Sequence, residues 1–317
     1  MSGFASRRDG IDHLDRREFF RVAGGGALAA ALLSPVGPLC RAALARSPGA
    51  AQEGKEAKKQ KRGKGAAEEV TGPYAPFKMA LQSYSLRKFG FEKMIETLWG
   101  LEIKFVELYP AHFPGDLSES ERRSRLRIMR HNGIKSIAYG VVSFTSDHEK
   151  NRKLFQFARD LNLASLSADP APDSFESLDK LVEEYRIPVA IHNHGPEDKR
   201  YRTPEMIEKA IKDHHRLIGL CVDTGHFLRV DVNPVEVVKQ FKDRVYGVHL
   251  KEVKTEAGKK VFKVLGEGDL DTVGLLRALK EHRFQGGLSL EYEEEEDAPI
   301  PSIKKCLEVV REAVRKS

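Results

Sequence analysis

Short apolar segments typical of strands alternate with longer amphipathic segments typical of helices from Pro73 to the C-terminus. The alternation predicts eight strand–helix units in residues 73–317. A closed barrel of eight such units usually needs ~250 residues, which agrees with the length of this stretch. A capping residue stands directly before Pro204 and before Pro234, and this pairing favours helix starts at both prolines. The sequence therefore predicts an α/β fold, a (β/α)8 TIM barrel.

The predicted strands and helices follow one another along the whole barrel segment. The strands are expected at Met79–Tyr84, Phe105–Tyr109, Ile137–Val142, Ala164–Ala168, Pro188–Ile191, Leu220–Val222, Val245–Leu250 and Leu288–Glu291. The helices are expected at Phe91–Leu101, Ser118–Asn132, Asp147–Leu161, Ser174–Tyr185, Pro204–His215, Pro234–Phe241, Thr272–His282 and Ile303–Val314. In such barrels the chemistry is found at the C-terminal ends of the strands, which directs attention to the residues that end each strand.

Residues 1–45 have the pattern of a targeting segment. Arg16 and Arg17 precede a moderately apolar run at residues 22–33, and Ala43-Leu44-Ala45 offers a cleavage site with small residues. This arrangement resembles a twin-arginine signal peptide. The apolar run is too short for a confident membrane span. We therefore expect export by the twin-arginine route to the periplasm or cell envelope, with no stable membrane span after cleavage.

Residues 46–72 are rich in Gly, Ala, Lys and Glu and hold almost no large apolar side chains. Such a segment cannot bury enough surface to fold, so it is predicted to be a flexible linker before the barrel domain at residues 73–317. The formal net charge of +6 divides into +2 for residues 1–45, +3 for residues 46–72 and +1 for the barrel. A nearly neutral barrel does not favour a nucleic-acid partner.

Four predicted strands end at side chains that bind metal ions. These are His192, Asp223, His249 and Glu291, at the ends of the fifth, sixth, seventh and eighth strands. Because adjacent strands lie ~4.8 Å apart, four consecutive strand ends can surround one ion. Two imidazoles and two carboxylates suit Mn²⁺, Zn²⁺, Co²⁺ or Fe²⁺ better than Ca²⁺, and a set without thiolates argues against a structural zinc site. We predict one divalent ion, with Mn²⁺ favoured and Zn²⁺, Co²⁺, Fe²⁺ or Mg²⁺ as alternatives.

Several short motifs together resemble one family of barrels. They are Val106-Glu107-Leu108, Asp223-Thr224-Gly225-His226, Val248-His249-Leu250-Lys251, Glu291 and the loop Gly266-Glu267-Gly268-Asp269-Leu270-Asp271. On these motifs, residues 77–317 resemble the xylose isomerase-like barrel superfamily. That superfamily includes sugar phosphate isomerases and epimerases, inosose dehydratase and the apurinic endonucleases. The resemblance implies metal-dependent chemistry in which a proton is removed next to a metal-bound carbonyl.

The chain departs from this family at the end of the fifth strand. The epimerases usually place a glutamate there, as a ligand and as one of two proton-transferring carboxylates, whereas this chain has His192. Imidazole is a good metal ligand, so the metal site is expected to survive, but the two-glutamate mechanism is put in doubt. His194 then becomes a candidate for the second acid or base, because the unperturbed pKa of histidine is near 6.5.

The family resemblance, together with the departure at His192, implies candidate roles for individual residues. Glu291 is the first choice of base, with His194 opposite it and Lys251 placed to stabilise an anionic intermediate. The residues expected to contact substrate hydroxyls are Glu107, His226 and His112. The partner is predicted to be a small carbohydrate, and self-association into a homo-oligomer is left open.

The predicted function is that of a divalent-metal-dependent isomerase or epimerase of a small sugar or keto-sugar. The first alternative is a lyase or dehydratase acting on a keto-sugar or inosose, which His192 favours. A phosphodiesterase of the apurinic endonuclease type is a further alternative, but it needs extra histidines, and the third strand ends at Tyr139–Val142 without one. A non-catalytic sugar-binding barrel is the remaining class.

Overall fold

Eight parallel strands form a closed barrel in the computed structural model, which describes residues 70–317. The predicted signal peptide and nearly all of the predicted linker lie outside the described residues. The strands are β1 Lys78–Gln82, β2 Phe105–Leu108, β3 Lys135–Phe144, β4 Ser165–Pro170, β5 Val189–His192, β6 Ile218–Asp223, β7 Val245–Leu250, β8 Glu252–Glu256, β9 Lys259–Lys263 and β10 Gly287–Leu290. Around the barrel the order is β1-β10-β7-β6-β5-β4-β3-β2, which confirms the predicted (β/α)8 fold.

Helices follow the barrel strands and cover the outside of the sheet. They are α1 Phe91–Gly100, α2 Glu119–His131, α3 His148–Asp160, α4 Phe175–Tyr185, α5 Pro204–Ile211, α6 Thr224–Leu228, α7 Pro234–Phe241, α8 Thr272–Glu281 and α9 Ile300–Lys316. Short 3-10 turns lie at Ser83–Leu86, Pro172–Ser174 and Lys242–Arg244. The eight predicted helices are all present, and α6 is the addition, directly after the strand that ends at Asp223.

Local sequence explains where these helices begin. Ser118 and Glu121 form a capping box at the start of α2, each side chain meeting the backbone N–H of the other residue. The Thr203 hydroxyl caps α5 at Pro204, and the Asn233 side chain caps α7 at Pro234. The apolar faces of the helices pack on the sheet, with side chains such as Phe155, Leu178 and Ile207 fully buried. Burial stabilises the fold by about 1.5–3 kcal/mol for each large apolar side chain.

Side chains of the barrel strands alternate between the interior and the helical layer, with a period of two residues. On β6, Cys221 and Asp223 therefore face the interior together, and Ser289 on β10 faces the same way as Glu291 just after it. All four are buried. This alternation delivers a carboxylate to the top of the barrel from each of two strands.

The hairpin formed by β8 and β9 is the main element that the sequence pattern did not predict. It lies between β7 and α8, and its strands pair in antiparallel fashion from Glu252 opposite Lys263 to Glu256 opposite Lys259. Its turn, Ala257-Gly258, has positive φ at both residues, as two-residue hairpin turns require. The mixed charges of these strands hide the alternation that would otherwise indicate a hairpin. Within residues 70–317, no helix combines the length and apolar character needed to cross a membrane.

Candidate metal centre

Four side chains from consecutive positions around the barrel meet at the C-terminal end of the strands. His192 ends β5, Asp223 ends β6, His249 lies on β7, and Glu291 directly follows β10. One ligand atom from each lies within 4.8 Å of the others, and all four side chains are buried. The structure thus brings together the four residues predicted as metal ligands.

Six buried polar atoms on the four side chains of this cluster lack hydrogen-bond partners among the described residues. They are both ring nitrogens of His192 and of His249, Asp223 Oδ2 and Glu291 Oε2. Buried polar atoms are nearly always paired, so ring nitrogens of His192 and His249 that face carboxylate oxygens without a hydrogen bond indicate a shared partner between them. A divalent cation fits this gap because it would satisfy the carboxylates and the imidazoles at once. The donor set, two nitrogens and two oxygens without sulfur, argues against a structural zinc site.

The orientation of His249 shows which ring nitrogen would bind a metal ion. Nδ1 lies 3.1 Å from Glu291 Oε2 and 3.9 Å from Asp223 Oδ2, so this nitrogen faces the cluster. Nε2 lies 2.9 Å from Glu107 Oε1, on the other side of the ring, although the ring is not aligned for a well-directed hydrogen bond. On the β5 side, His192 Nε2 lies 3.3 Å from Asp223 Oδ2. We assign Nδ1 of His249 as its candidate ligand atom.

The ammonium group of Lys251 is in direct contact with the cluster. Its Nζ lies 3.0 Å from Asp223 Oδ2 and 2.9 Å from Glu291 Oε2, and it also contacts Glu293 Oε1. The side chain is 3% exposed. Burial lowers the pKa of Lys251, but the three carboxylates outweigh burial and raise it above its ordinary value. Lys251 is therefore a fixed positive charge beside the candidate ligands.

The stretch Asp223-Thr224-Gly225-His226 supplies one candidate ligand, Asp223, and also fixes the position of Lys251. The Thr224 hydroxyl donates to the Lys251 carbonyl oxygen at 2.7 Å and accepts from the Lys251 backbone N–H at 2.9 Å. A Cβ on Gly225 would come within 2.6 Å of Lys251 Cγ, so only glycine leaves room for the lysine stem. His226 Nε2 lies 3.4 Å from Nζ. Each residue of the motif after Asp223 thus helps to position one ammonium.

Imidazoles and one arginine line the β5 and β6 side of the opening. The ring centre of His194 lies 4.6 Å from that of His192 and 5.6 Å from that of His226. Arg229 Nη1 lies 3.2 Å from His226 Nδ1, and Nη2 donates to Glu197 at 2.7 Å. His194 is 40% exposed in its side chain, so it is the imidazole here that solvent or a substrate reaches most easily.

The pKa values of the buried groups follow from burial and from their charged neighbours. Burial lowers the pKa of His192 to about 4, so its ring is neutral at pH 7 and one ring nitrogen has a lone pair that can bind a metal ion. Burial raises the pKa of Glu291, but Lys251 and His249 lower it by more, and the net shift is downward. Asp223 behaves in the same way, since the charges around it outweigh burial and hold its pKa well below the ordinary value. Both carboxylates are therefore ionised, as metal ligands must be.

The remaining predicted site residues lie away from the four candidate ligands or beneath them. His112 is buried after β2, where Nε2 lies 2.9 Å from the Phe89 carbonyl oxygen and the ring meets Tyr109 edge-on. Its role in substrate binding remains a prediction. Glu107 is 1% exposed, and its carboxylate faces the barrel interior and His249. This placement does not favour the predicted contact between Glu107 and sugar hydroxyls.

Two residues of the site were not predicted. Glu293 lies in an acidic run that follows Glu291, yet it contacts Lys251, and its carbonyl oxygen accepts from Arg87 Nη2 at 2.6 Å. Phe262 on β9 packs its ring 6.0 Å from that of His226, with Lys251 Nζ 5.5 Å from its centre. Glu293 has acidic neighbours on both sides, so the sequence does not indicate that its side chain points inward. Phe262 could be placed at the site only if the β8–β9 hairpin had been predicted.

Sequence comparison agrees with the fold and with the position of this cluster. Residues 168–313 match the family of xylose isomerase-like TIM barrels, and all four candidate ligands lie in that range. An inosose dehydratase of Clostridium botulinum (strain Eklund 17B / Type B) is 29% identical over 147 residues, which cover 41% of this chain and 47% of that protein. The alignment thus spans about half the length of this relative.

Solved structures share the fold of the whole barrel. The IOLI protein with a bound zinc atom is 17% identical with a TM-score of 0.61, over 75% of this chain and 98% of that chain. L-ribulose 3-epimerase is 15% identical with a TM-score of 0.59, over 75% of this chain and 95% of that chain. At these identities the likeness shows the fold alone. Fold and cluster together define the class, a (β/α)8 barrel with a candidate metal site, of which residues 168–313 match the xylose isomerase-like TIM barrels.

Proposed function

We propose that this protein is a divalent-metal-dependent dehydratase that removes water from a small keto-sugar or cyclic keto-polyol. The observation that carries the proposal is the contact between Lys251 Nζ and Glu291 Oε2 at 2.9 Å, at the edge of the four-ligand cluster. The pair sets a buried carboxylate base beside a buried cation. Such a pair can take a proton from carbon and stabilise the negative charge that then develops on oxygen.

A divalent ion held by His192, Asp223, His249 and Glu291 would polarise the carbonyl group of the substrate. The protein residues supply the other parts of the reaction. Glu291 accepts the proton from the carbon next to the carbonyl, and Lys251 stabilises the oxyanion. Since the pKa of Lys251 is raised, its positive charge persists across the neutral pH range. Phe262 covers this ammonium on one side and limits the access of water to it.

Elimination is favoured over epimerisation by the residue that ends β5. Epimerisation returns a proton to the opposite face of the same carbon. In the epimerases that this chain resembles, a glutamate at the end of the fifth strand takes part in this proton transfer. Here that position is His192, whose ring lies inside the candidate ligand set. Elimination does not require this second carboxylate, because the electron pair of the enolate forms the new C=C bond as the neighbouring C–O bond breaks. The proton that Glu291 took from carbon then leaves with the hydroxide as water. The relatedness to an inosose dehydratase supports the same choice.

A sugar isomerase or epimerase is the second candidate function, and the position of His194 favours it. This imidazole lies beside β5, whereas Glu291 follows β10, and β6 and β7 separate these two strands around the barrel. The two groups therefore approach the opening from different sides. A partly exposed histidine there could return a proton to the face opposite Glu291.

A panel of keto-sugars and inososes, incubated with Mn²⁺ in D₂O and followed by NMR, tests these functions. A dehydratase gives loss of a hydroxyl group and an unsaturated or dicarbonyl product that absorbs in the ultraviolet. An isomerase or epimerase gives a sugar isomer that carries one solvent deuterium. Wild-type protein that binds no divalent ion and converts no member of the panel would contradict both functions.

A further inference from the structure

A layer of polar side chains fills the barrel interior one step below the candidate metal ligands. It consists of Glu107 on β2, Ser167 on β4, Cys221 on β6 and Ser289 on β10, each at most 1% exposed. These positions come from alternate strands, as the layers of such barrels do, but barrel layers usually hold bulky apolar residues. A carboxylate in this place needs partners, because an unpaired buried charge is strongly destabilising.

The carboxylate of Glu107 has a partner in three directions. Ser167 Oγ donates to Oε1 at 2.6 Å, and Ser289 Oγ donates to Oε2 at 2.7 Å. His249 Nε2 lies 2.9 Å from Oε1. The serines hold the carboxylate from two other strands, so its position is fixed independently of His249. Only 1% of Glu107 is exposed, which leaves a substrate almost no access to its carboxylate.

We propose that Glu107 is the positioning residue of the metal centre, which accepts the Nε2–H of His249 and so directs Nδ1 toward Asp223 and Glu291. The inference rests on the metal-dependent function proposed above. A histidine that binds a metal through Nδ1 must carry its proton on Nε2, and Glu107 Oε1 is the acceptor within reach. The carboxylate also makes the imidazole a stronger ligand.

Metal affinity tests this inference without reference to catalysis. Mn²⁺ and Zn²⁺ are titrated into wild-type protein and Glu107→Gln in competition with a fluorescent chelator. The variant is expected to bind about 10–100-fold more weakly, the usual effect of losing such a partner. The matched control is Glu252→Gln, another buried glutamate, whose carboxylate accepts from the backbone N–H groups of Val253, Gly266 and Leu270 and touches no candidate ligand. The control is expected to lose thermal stability and to keep its metal affinity.

Nitrogen NMR of histidine-labelled protein with Zn²⁺ gives a second readout, which a purely structural role would not change. In the wild type, His249 is expected to carry its proton on Nε2, and in Glu107→Gln the Nε2 signal is expected to shift or to split between two tautomers. Unchanged affinity together with an unchanged His249 signal overturns the inference and leaves the metal-dependent function intact. Wild-type protein that binds neither ion overturns both.

If Glu107→Gln does not fold, Ser167→Ala serves in its place, because it removes one donor to Oε1 and leaves the charge. Its metal affinity is expected to fall by about tenfold. If Ser167→Ala bound the metal ions as tightly as the wild type, the proposed positioning of His249 by Glu107 and its serine partners would be overturned.

Discussion

His192 Nε2 and Asp223 Oδ2 lie 3.3 Å apart at the ends of neighbouring strands, and neither atom has a hydrogen bond within the described residues. We predict that His192→Ala lowers the affinity for Mn²⁺ by more than the ~10–100-fold expected for loss of an outer partner. The metal content of dialysed protein measures this. His194→Ala is the matched control, since it removes the neighbouring imidazole, and it should keep the ion. Equal metal content in His192→Ala and wild type would show that His192 is not a ligand.

Replacing Lys251 should separate catalysis from metal binding. We expect Lys251→Met to retain the ion and to lose about 10²–10³-fold in kcat, because one charge that stabilises the developing oxyanion is gone. Steady-state kinetics on the substrate found in the NMR panel measure the loss. Lys254→Met on the exposed part of β8 is the control and should react like the wild type. A Lys251→Met enzyme with normal kcat would remove the lysine from the mechanism.

The pKa of His226 gives a pH dependence of stability for the metal-free protein. Burial lowers this pKa to about 3, below the 6.5 of an unfolded chain. Between these values the unfolded state binds a proton that the folded state excludes, so stability falls as the pH falls below 6.5. The loss is about 1.4 kcal/mol per pH unit, to which His192 adds in the same direction. Urea denaturation at pH 5.5 and 4.5 should show a smaller drop in His226→Gln than in the wild type, and identical drops would contradict the assigned pKa.

Phe262 should affect substrate binding through its cover of the site. We expect Phe262→Ala to lower kcat/KM several-fold, because water then reaches the ammonium of Lys251 and weakens its interaction with an oxyanion. The adjacent residue on β9, Val261, points to the other face of the hairpin, so Val261→Ala is the control. Equal kcat/KM in the two variants would exclude a specific role for the aromatic ring.

The export route is open to a direct test. We predict that changing Arg16 and Arg17 together to lysine abolishes export, because the paired arginines are the recognised feature of the proposed signal. Cell fractionation followed by immunoblotting locates the protein. The same change at Arg7 and Arg8, a second arginine pair further from the apolar run, is the matched control and should leave export intact. Normal export after the change at Arg16 and Arg17 would contradict the proposed route.

The sequence was sufficient to predict the barrel and the four clustered side chains for one physical reason. Each apolar strand stops at a polar residue, and parallel strands in a closed barrel must end at the same rim. His192, Asp223, His249 and Glu291 could therefore be grouped without knowledge of any distance. The same reasoning placed Lys251 near them.

The residues whose surroundings the sequence did not indicate depend on contacts across the barrel. Glu107 lies one residue before the end of β2 and one layer below the candidate ligands, and the sequence does not show that Ser167 and Ser289 lie on either side of it. In the sequence Glu293 cannot be distinguished from its acidic neighbours, and only the fold shows that it pairs with Lys251. Phe262 reaches the opening only because the hairpin folds back, and local charge patterns do not indicate that fold.

The alternation along the strands separates the parts of this barrel that can change in length from those that cannot. Asp223 and Glu291 face inward because each stands two residues beyond another inward residue, Cys221 or Ser289. Loss of one residue from within either strand would turn its carboxylate toward the helices and remove it from the rim. Loops and the hairpin can change length without that effect. Descendants of such a barrel are thus expected to gain new substrates through insertions at the rim, while their strand lengths stay constant.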